Sequence, residues 1–205
     1  MFLLKTEQRS KIDESDDAAF YCYPRFVYHV DNGFVRKLKQ LYSQKLQSDS
    51  RILDLMSSWV SHLPETIQFS HVEGHGMNQE ELAKNPRLDH YFIQNLNQQT
   101  SLPLEDQSFD AVLITASIQY IQYPEAIFRE IARVLKPNGI AIISFSNRMF
   151  YQKAISIWRD SSEKARLEIV RSYFKAIEGF GEPEIIAKTF ILGGDPFYVV
   201  MANRL

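Results

Sequence analysis

With 205 residues, 45% of them hydrophobic and 23% charged, the chain has the size and composition of one globular domain, and global disorder is excluded. A formal net charge of −2 lacks the basic excess of a phosphate-binding protein, so no nucleic-acid partner is expected. Cys22 is the single cysteine, which rules out an internal disulfide and a cysteine-cluster metal site and favours a reducing, cytoplasmic compartment.

Met1–Leu4 is too short for the apolar core of a secretion signal, and the acidic run Asp13–Asp17 disfavours a transit peptide. No stretch approaches the ~20 apolar residues of a membrane span. Residues 5–17 are polar and read as a loose lead-in. Aromatic residues then crowd between Phe20 and Tyr42; Phe34, Leu38 and Leu41 share one helix face, with Asp31 or Asn32 placed as the N-cap. Residues 1–50 thus form a lead-in and aromatic helical cap, and 51–205 the main domain.

RILDL (51–55) reads as a buried strand, 57–63 as a brief helix stopped by Pro64, and 67–74 as a second strand. Asn78 caps a short helix, with Glu81 three residues on in a capping-box arrangement. A third strand is expected over 90–96 and a fourth over 109–117. From Pro124, the residues Phe128, Ile131, Ala132 and Leu135 make an amphipathic helix that Lys136–Gly139 terminates, and 140–147 is a fifth strand. A helical insertion over about 150–178 precedes strands at 185–192 and 196–204, joined by a GGDP turn as an antiparallel hairpin. Strands alternating with helices imply an α/β three-layer sandwich around a mostly parallel seven-stranded sheet.

Leu102, Pro103, Asp106, Ser108, Phe109 and Asp110, followed by Arg133-Val134-Leu135-Lys136-Pro137 and Gly139, form a specific pattern. Through it the chain resembles the class I S-adenosylmethionine-dependent methyltransferases of the type-11 kind, over about residues 50–204, with Asn138 in place of one glycine. It is also similar to a group of methyltransferase-like proteins from photosynthetic organisms that share FY-x-x-PRFV-x-H, ILDL-x-SSW and SFSNR. The resemblance implies a Rossmann-like fold, S-adenosylmethionine as cofactor and a small-molecule substrate.

The family's cofactor loop, D-x-G-x-G-x-G, is altered here. Asp54 keeps the acid, but Met56, Ser58 and Val60 stand where glycines belong. Ser57 and Ser58 are placed either to hold the cofactor's carboxylate or to cap the short helix. The acid that grips the ribose at the end of the second strand falls on Gly76, followed by Met77. Glu73, Glu80 and Glu81 lie nearby and read more readily as solvated charges. Asn95, Leu96 and Asn97 occupy the adenine-contacting loop or form a plain polar turn, and Thr115 closes the fourth strand on the cofactor side.

For chemistry, Tyr120 and Gln119 sit on the substrate-facing edge, where Tyr120 is placed to deprotonate an acceptor or simply to pack. His75 is the best-placed imidazole for a proton role, against an ordinary structural role. Tyr21, Tyr23 and Arg25 close over ligand as a lid, or Phe20, Phe26 and Val27 only cover a sheet edge. Asn147, Arg148 and Trp158 follow the fifth strand as a substrate wall, with Trp158 equally at home in the core. The five histidines show no metal-ligand spacing, and no nucleophile elbow or Walker A loop is present. A nicotinamide dehydrogenase would need the G-x-G-x-x-G that this chain lacks. Either the chain is an active methyltransferase with an atypical loop, or it keeps the fold as a non-catalytic binding or partner protein.

Overall fold

The structure, a computed structural model, describes residues 3–189 and 193–205. In chain order its elements are α1 (Thr6–Arg9), α2 (Asp17–Tyr21), α3 (Asn32–Lys45), β1 (Arg51–Leu55), β2 (His71–Gly76), α4 (Gln79–Ala83) and β3 (His90–Ile93). There follow β4 (Phe109–Thr115), a 3-10 turn (Ile118–Tyr120), α5 (Pro124–Val134), β5 (Leu135–Phe145), α6 (Ser156–Arg159), α7 (Glu163–Lys175), β6 (Glu184–Lys188) and β7 (Phe197–Asn203). The end of the sixth expected strand, residues 190–192, lies outside the described residues, as do residues 1–2.

The strands form one seven-stranded sheet in the order β3-β2-β1-β4-β5-β7-β6. The first five are parallel, and β7 runs antiparallel to both β5 and β6. Strand side chains alternate between faces, so each strand feeds two cores. Ile52, Leu113, Ile142 and Val199 pack on one face beneath Phe34, Leu38, Leu41 and Tyr42 of α3. Leu53, Val112, Ile143 and Val200 pack on the other with Ile127, Phe128 and Ile131 of α5 and Val170 and Phe174 of α7. Asp31 caps α3 by accepting the Phe34 N–H at 2.7 Å, and Pro124 opens α5.

Several boundaries differ from the sequence reading, each for a local reason. The second strand starts at His71 because Arg51 pairs with His71; Gln68 and Ser70 instead pair with Asp49 and Ser50 ahead of it. β3 stops at Ile93, since the Gln94 carbonyl turns away to His75. α5 ends at Val134, and Leu135 already belongs to β5. Lys136–Gly139 bulge out of that strand opposite Asp110, with Asn138 at φ 66°. Gly139 fits only without a side chain, because a Cβ would stand 2.9 Å from the Lys136 carbonyl oxygen. The insertion over 150–178 divides into α6 and α7.

Two expectations are overturned. Residues 57–63 form no helix: the Ser57 N–H goes to the His75 carbonyl, and the Ser57 and Ser58 hydroxyls go to Asp54 and Glu81, which hold the segment along the cavity. The lead-in is not loose. Arg9 pairs with Glu125 at 2.9 Å, Lys11 with Asp17 at 2.5 Å, and the fully buried Lys153 with Asp13 at 3.1 Å and Asp17 at 3.3 Å. These ion pairs tie 9–17 to the start of α5 and to the segment after β5.

Candidate active site

In a parallel sheet the backbone is paired along the strands and open at their carboxyl ends, where loops diverge. Here a cavity of about 340 Å³ opens at the carboxyl ends of β1, β2, β3 and β4. That is near the lower end of ordinary small-molecule sites. Asp54, Thr115 and Ala116 line it from the strands, and Tyr21, Arg25 and Val27–Val30 line it from the N-terminal segment.

The cavity holds backbone that side chains rarely tolerate. Met56 (φ 59°), His62 (φ 53°) and Ala116 (φ 56°) are left-handed without being glycine, and all three line it. Each such conformation costs about 1–2 kcal/mol. Strain of this sort concentrates at ligand sites. The turn that a glycine-rich loop makes easily is therefore still made, with Met56 in the left-handed position directly after β1.

What holds Met56 there is His75. Its Nδ1 accepts the Met56 N–H at 3.1 Å, and its Nε2 lies 2.9 Å from the Gln94 carbonyl oxygen, which fixes the Nε2–H tautomer. The His75 carbonyl accepts the Ser57 N–H at 2.6 Å. Burial lowers the ring's pKa to about 4, so it is neutral and pins three strand ends together. With both nitrogens committed, His75 is a positioning residue and not placed for the proton role expected of it.

Gly76 shows why no acid stands at the end of β2. A Cβ there would meet the Ser57 carbonyl oxygen at 2.8 Å, so the β1 loop occupies the place a side chain would take. The nearby carboxylate is instead Glu81. It accepts the Arg25 N–H and the Ser58 hydroxyl, each at 2.6 Å, and lines the cavity. The sequence favoured a solvated Glu81; the structure buries it. Only half the capping box forms, Asn78 accepting the Glu81 N–H at 3.0 Å while the Glu81 side chain turns inward. Glu73 faces the other way, towards His71 and His90.

Asp54 is buried at the floor, where desolvation pushes its carboxyl up to about 6 despite the Ser57 hydroxyl donating at 2.6 Å. Beside it the Tyr42 hydroxyl bonds Thr115 Oγ1 at 3.0 Å, and burial raises the Tyr42 pKa. Over the top, the Asn78 amide donates to the carbonyls of Tyr21 and Cys22, and the Trp59 indole to that of Val27. The Arg25 guanidinium stacks on Phe20, 4.5 Å from its centroid, and bonds the Phe20 carbonyl; its charge is spent on fixing the segment. The N-terminal segment thus covers the cavity, while Phe26 and Val27, expected against a sheet edge, are exposed. Tyr23 is exposed and takes no part in the cavity.

Met77, Asn95, Leu96 and Asn97 line the cavity with Met56, Ser57, Ser58 and Gly76. Asn97 is committed to Asp17, the Tyr120 carbonyl and the Gln122 N–H. Tyr120 also lines it, its hydroxyl accepting the Phe150 N–H at 2.7 Å while burial raises its pKa. Three expected substrate residues are not there. Gln119 is buried away from the cavity, its amide donating to the Ala116 carbonyl. Trp158 packs in the core against Phe145, ring centroids 4.9 Å apart. Asn147 is exposed beside the rim, where Arg148, Met149 and Phe150 line the cavity instead. The sequence reading also missed His29, His62 and Asp17, which the fold brings in from distant segments. Among the described residues no cluster of possible metal ligands occurs, and no helix is long and apolar enough to cross a membrane.

Residues 71–143, from β2 into β5, match the family model for a methyltransferase domain. The seven-stranded sheet, with β7 inserted antiparallel between β5 and β6, superposes as a fold on solved methyltransferases. The chain carries the class I methyltransferase fold. An S-adenosylmethionine-dependent methyltransferase of Thermotoga maritima is 17% identical with a TM-score of 0.57, over 84% of this chain and 91% of that one. Phosphoethanolamine N-methyltransferase 2 of Haemonchus contortus, solved with S-adenosylmethionine, is 16% identical with a TM-score of 0.58, over 84% of this chain and 52% of that one. The cyclase SpnF is 16% identical with a TM-score of 0.56, over 82% and 80%. At these identities the likeness speaks for the methyltransferase fold alone, and SpnF's description as a cyclase underlines that a fold does not fix a reaction. No curated protein matches the sequence.

The cavity of this methyltransferase fold suits an adenosyl sulfonium by position and donor set. Asn95 offers an amide, Leu96 an apolar edge, and Glu81 a carboxylate where Gly76 has none.

Proposed function

We propose that the protein is an S-adenosylmethionine-dependent methyltransferase acting on a small molecule in the cytoplasm, with Glu81 in the role that the acid after β2 has elsewhere. The observation that carries this reading is the enclosed cavity at the carboxyl ends of β1–β4, reached by Asp54, Glu81 and the loop Asn95–Asn97. In this reading Asn95 and Leu96 hold the base, Glu81 the sugar hydroxyls, and Ser57 with Asp54 the amino-acid end. When bound, the cofactor supplies a methyl group already activated on a sulfonium sulfur. The chain's own task is to orient the acceptor and exclude water, which suits Tyr21, Tyr28 and Phe150 over the cavity.

Titration calorimetry with S-adenosylmethionine and S-adenosylhomocysteine tests this. Heat of binding and a raised melting temperature are expected, weakened at least tenfold by Glu81→Gln. No heat and no thermal shift at millimolar ligand would sink it.

A second reading, a non-catalytic binding or partner protein on the methyltransferase fold, is favoured by one observation. The Met56 and Ser57 N–H groups are both consumed by His75 and so do not face the cavity. Co-purification with a fixed partner, together with silence in the calorimeter, would support it.

A further inference from the structure

We propose that His29 is the general base of this cavity, and that the acceptor is correspondingly a small molecule whose nucleophilic atom carries a proton: an alcohol, phenol or amine. The inference rests on the methyltransferase reading above and adds to it the proton acceptor and the acceptor class.

Five histidines are present, and the structure separates them by what their rings can do. His71 and His90 both bond Glu73, outside the cavity. His75 has both nitrogens committed, to Met56 and Gln94. His29 and His62 both line the cavity, and neither ring has a hydrogen-bond partner among the described residues. Both rings therefore keep their nitrogens open to a molecule in the cavity.

Between the two, His29 is the better placed. His62 sits on left-handed backbone beneath Tyr28 and is almost fully buried; burial, with Lys39 and His29 adding charge repulsion, lowers its pKa to about 4. That makes His62 a weak base. His29 is only partly buried and lies edge-on to the Phe150 ring, centroids 5.5 Å apart. The groups facing it are Glu81 from α4, Arg25 from its own segment, and His62 from the loop after β1. Burial lowers its pKa, opposed by Glu81 and assisted by Arg25, so the ring is held in the neutral form that can accept a proton.

The balance of the step follows. The bond from the acceptor's oxygen or nitrogen to the methyl carbon forms as the carbon–sulfur bond breaks, and that electron pair stays on sulfur as a thioether. The acceptor's proton passes to a His29 nitrogen and then to solvent. A carboxylate acceptor has no proton to lose and would leave His29 without a task.

The test uses the full chain labelled at histidine Cε1, saturated with S-adenosylhomocysteine, with His29→Gln identifying the His29 resonance. Phenol, benzyl alcohol, benzylamine and benzoate are the probes. At least one of the first three should move the His29 Hε1 signal and its titration midpoint, and benzoate should not. If none moves it, or benzoate alone does, the proposal falls. With S-adenosylmethionine and any probe that is methylated, His29→Gln should lower kcat by roughly a hundredfold or more and abolish the acid limb of the pH profile. Affinity for S-adenosylhomocysteine should stay within twofold. A kcat within threefold of the parent, or a matching loss of that affinity, overturns the assignment. A wild-type chain that does not bind S-adenosylhomocysteine at all overturns the methyltransferase reading itself, a result separable from the others.

Discussion

The Nδ1 of His75 accepts the backbone N–H of Met56 at 3.1 Å, and the two residues are 19 apart in sequence. This one bond holds a left-handed methionine directly after β1. Replacing His75 by Leu leaves the Met56 N–H and the Gln94 carbonyl without partners. Each buried orphan costs about 1–3 kcal/mol, so a loss of about 2–6 kcal/mol is expected in urea denaturation. A loss under 1 kcal/mol would show that the loop holds itself.

Stability should fall with acid in a defined window. His75 and His62 have pKa values lowered from 6.5 to about 4, so between these values the unfolded chain binds protons that the folded chain does not. Stability is therefore full above pH 6.5 and declines towards pH 4. Asp54 works against this. Its pKa is raised from 3.8 to about 6, so its burial cost grows as pH rises through that interval and is complete above 6. Asp54→Asn should accordingly steepen the acid decline and raise the melting temperature at pH 7.5. An unchanged slope in denaturation curves at pH 4.5, 5.5 and 7.5 would contradict the assignment.

Placing an acid at the end of β2 should do harm. Gly76→Asp places a Cβ 2.8 Å from the Ser57 carbonyl oxygen, a backbone atom that cannot step aside cheaply. A destabilisation of about 1–3 kcal/mol is expected. Calorimetry should show weaker, not tighter, binding of S-adenosylhomocysteine. Tighter binding would mean that the β1 loop yields and that Gly76 is a simple loss.

The N-terminal cover depends on a buried charge cluster. Lys153 is fully buried and touches Asp13, Asp17 and the carbonyls of Asp13 and Ser15. Removing it takes a cation from Asp13 and from the buried Asp17, which is left with Lys11. Lys153→Met should therefore release the segment before the rest of the fold, read as early proteolytic cleavage within residues 10–30. Cleavage no faster than in the parent would place the cover's anchorage elsewhere.

The strands and the two long amphipathic helices were legible because their signals are local. RILDL, FDAVLIT and IAIISF are continuous apolar runs that suit a sheet covered on both faces, and the α3 and α5 stripes recur at helical spacing. That Asp54, Met56, Gly76 and Asn95 line the cavity was legible through their place at or just beyond the carboxyl ends of those strands. The missing helix at 57–63 was not, because its hydroxyls and amides are claimed by Asp54, Glu81 and His75, partners that only folding brings near. Trp158 and Gln119 were misplaced for the same reason: which face a residue takes beyond a strand end depends on packing across the chain.

The sequence by itself therefore determined the architecture: the strands, the long helices and a mostly parallel sheet follow from hydrophobic period and turn residues. Only the tertiary structure decided the chemistry of the cavity. Glu81 reads as a surface charge until Ser58 and Arg25 meet it, and His75 as a proton carrier until both its nitrogens are seen occupied. His29 stands unremarkable in an aromatic stretch until the N-terminal segment lies over the strand ends. Periodicity is a property of neighbours along the chain, whereas burial and hydrogen-bond partnership are set by residues tens of positions away, and these are what fix a side chain's charge and role.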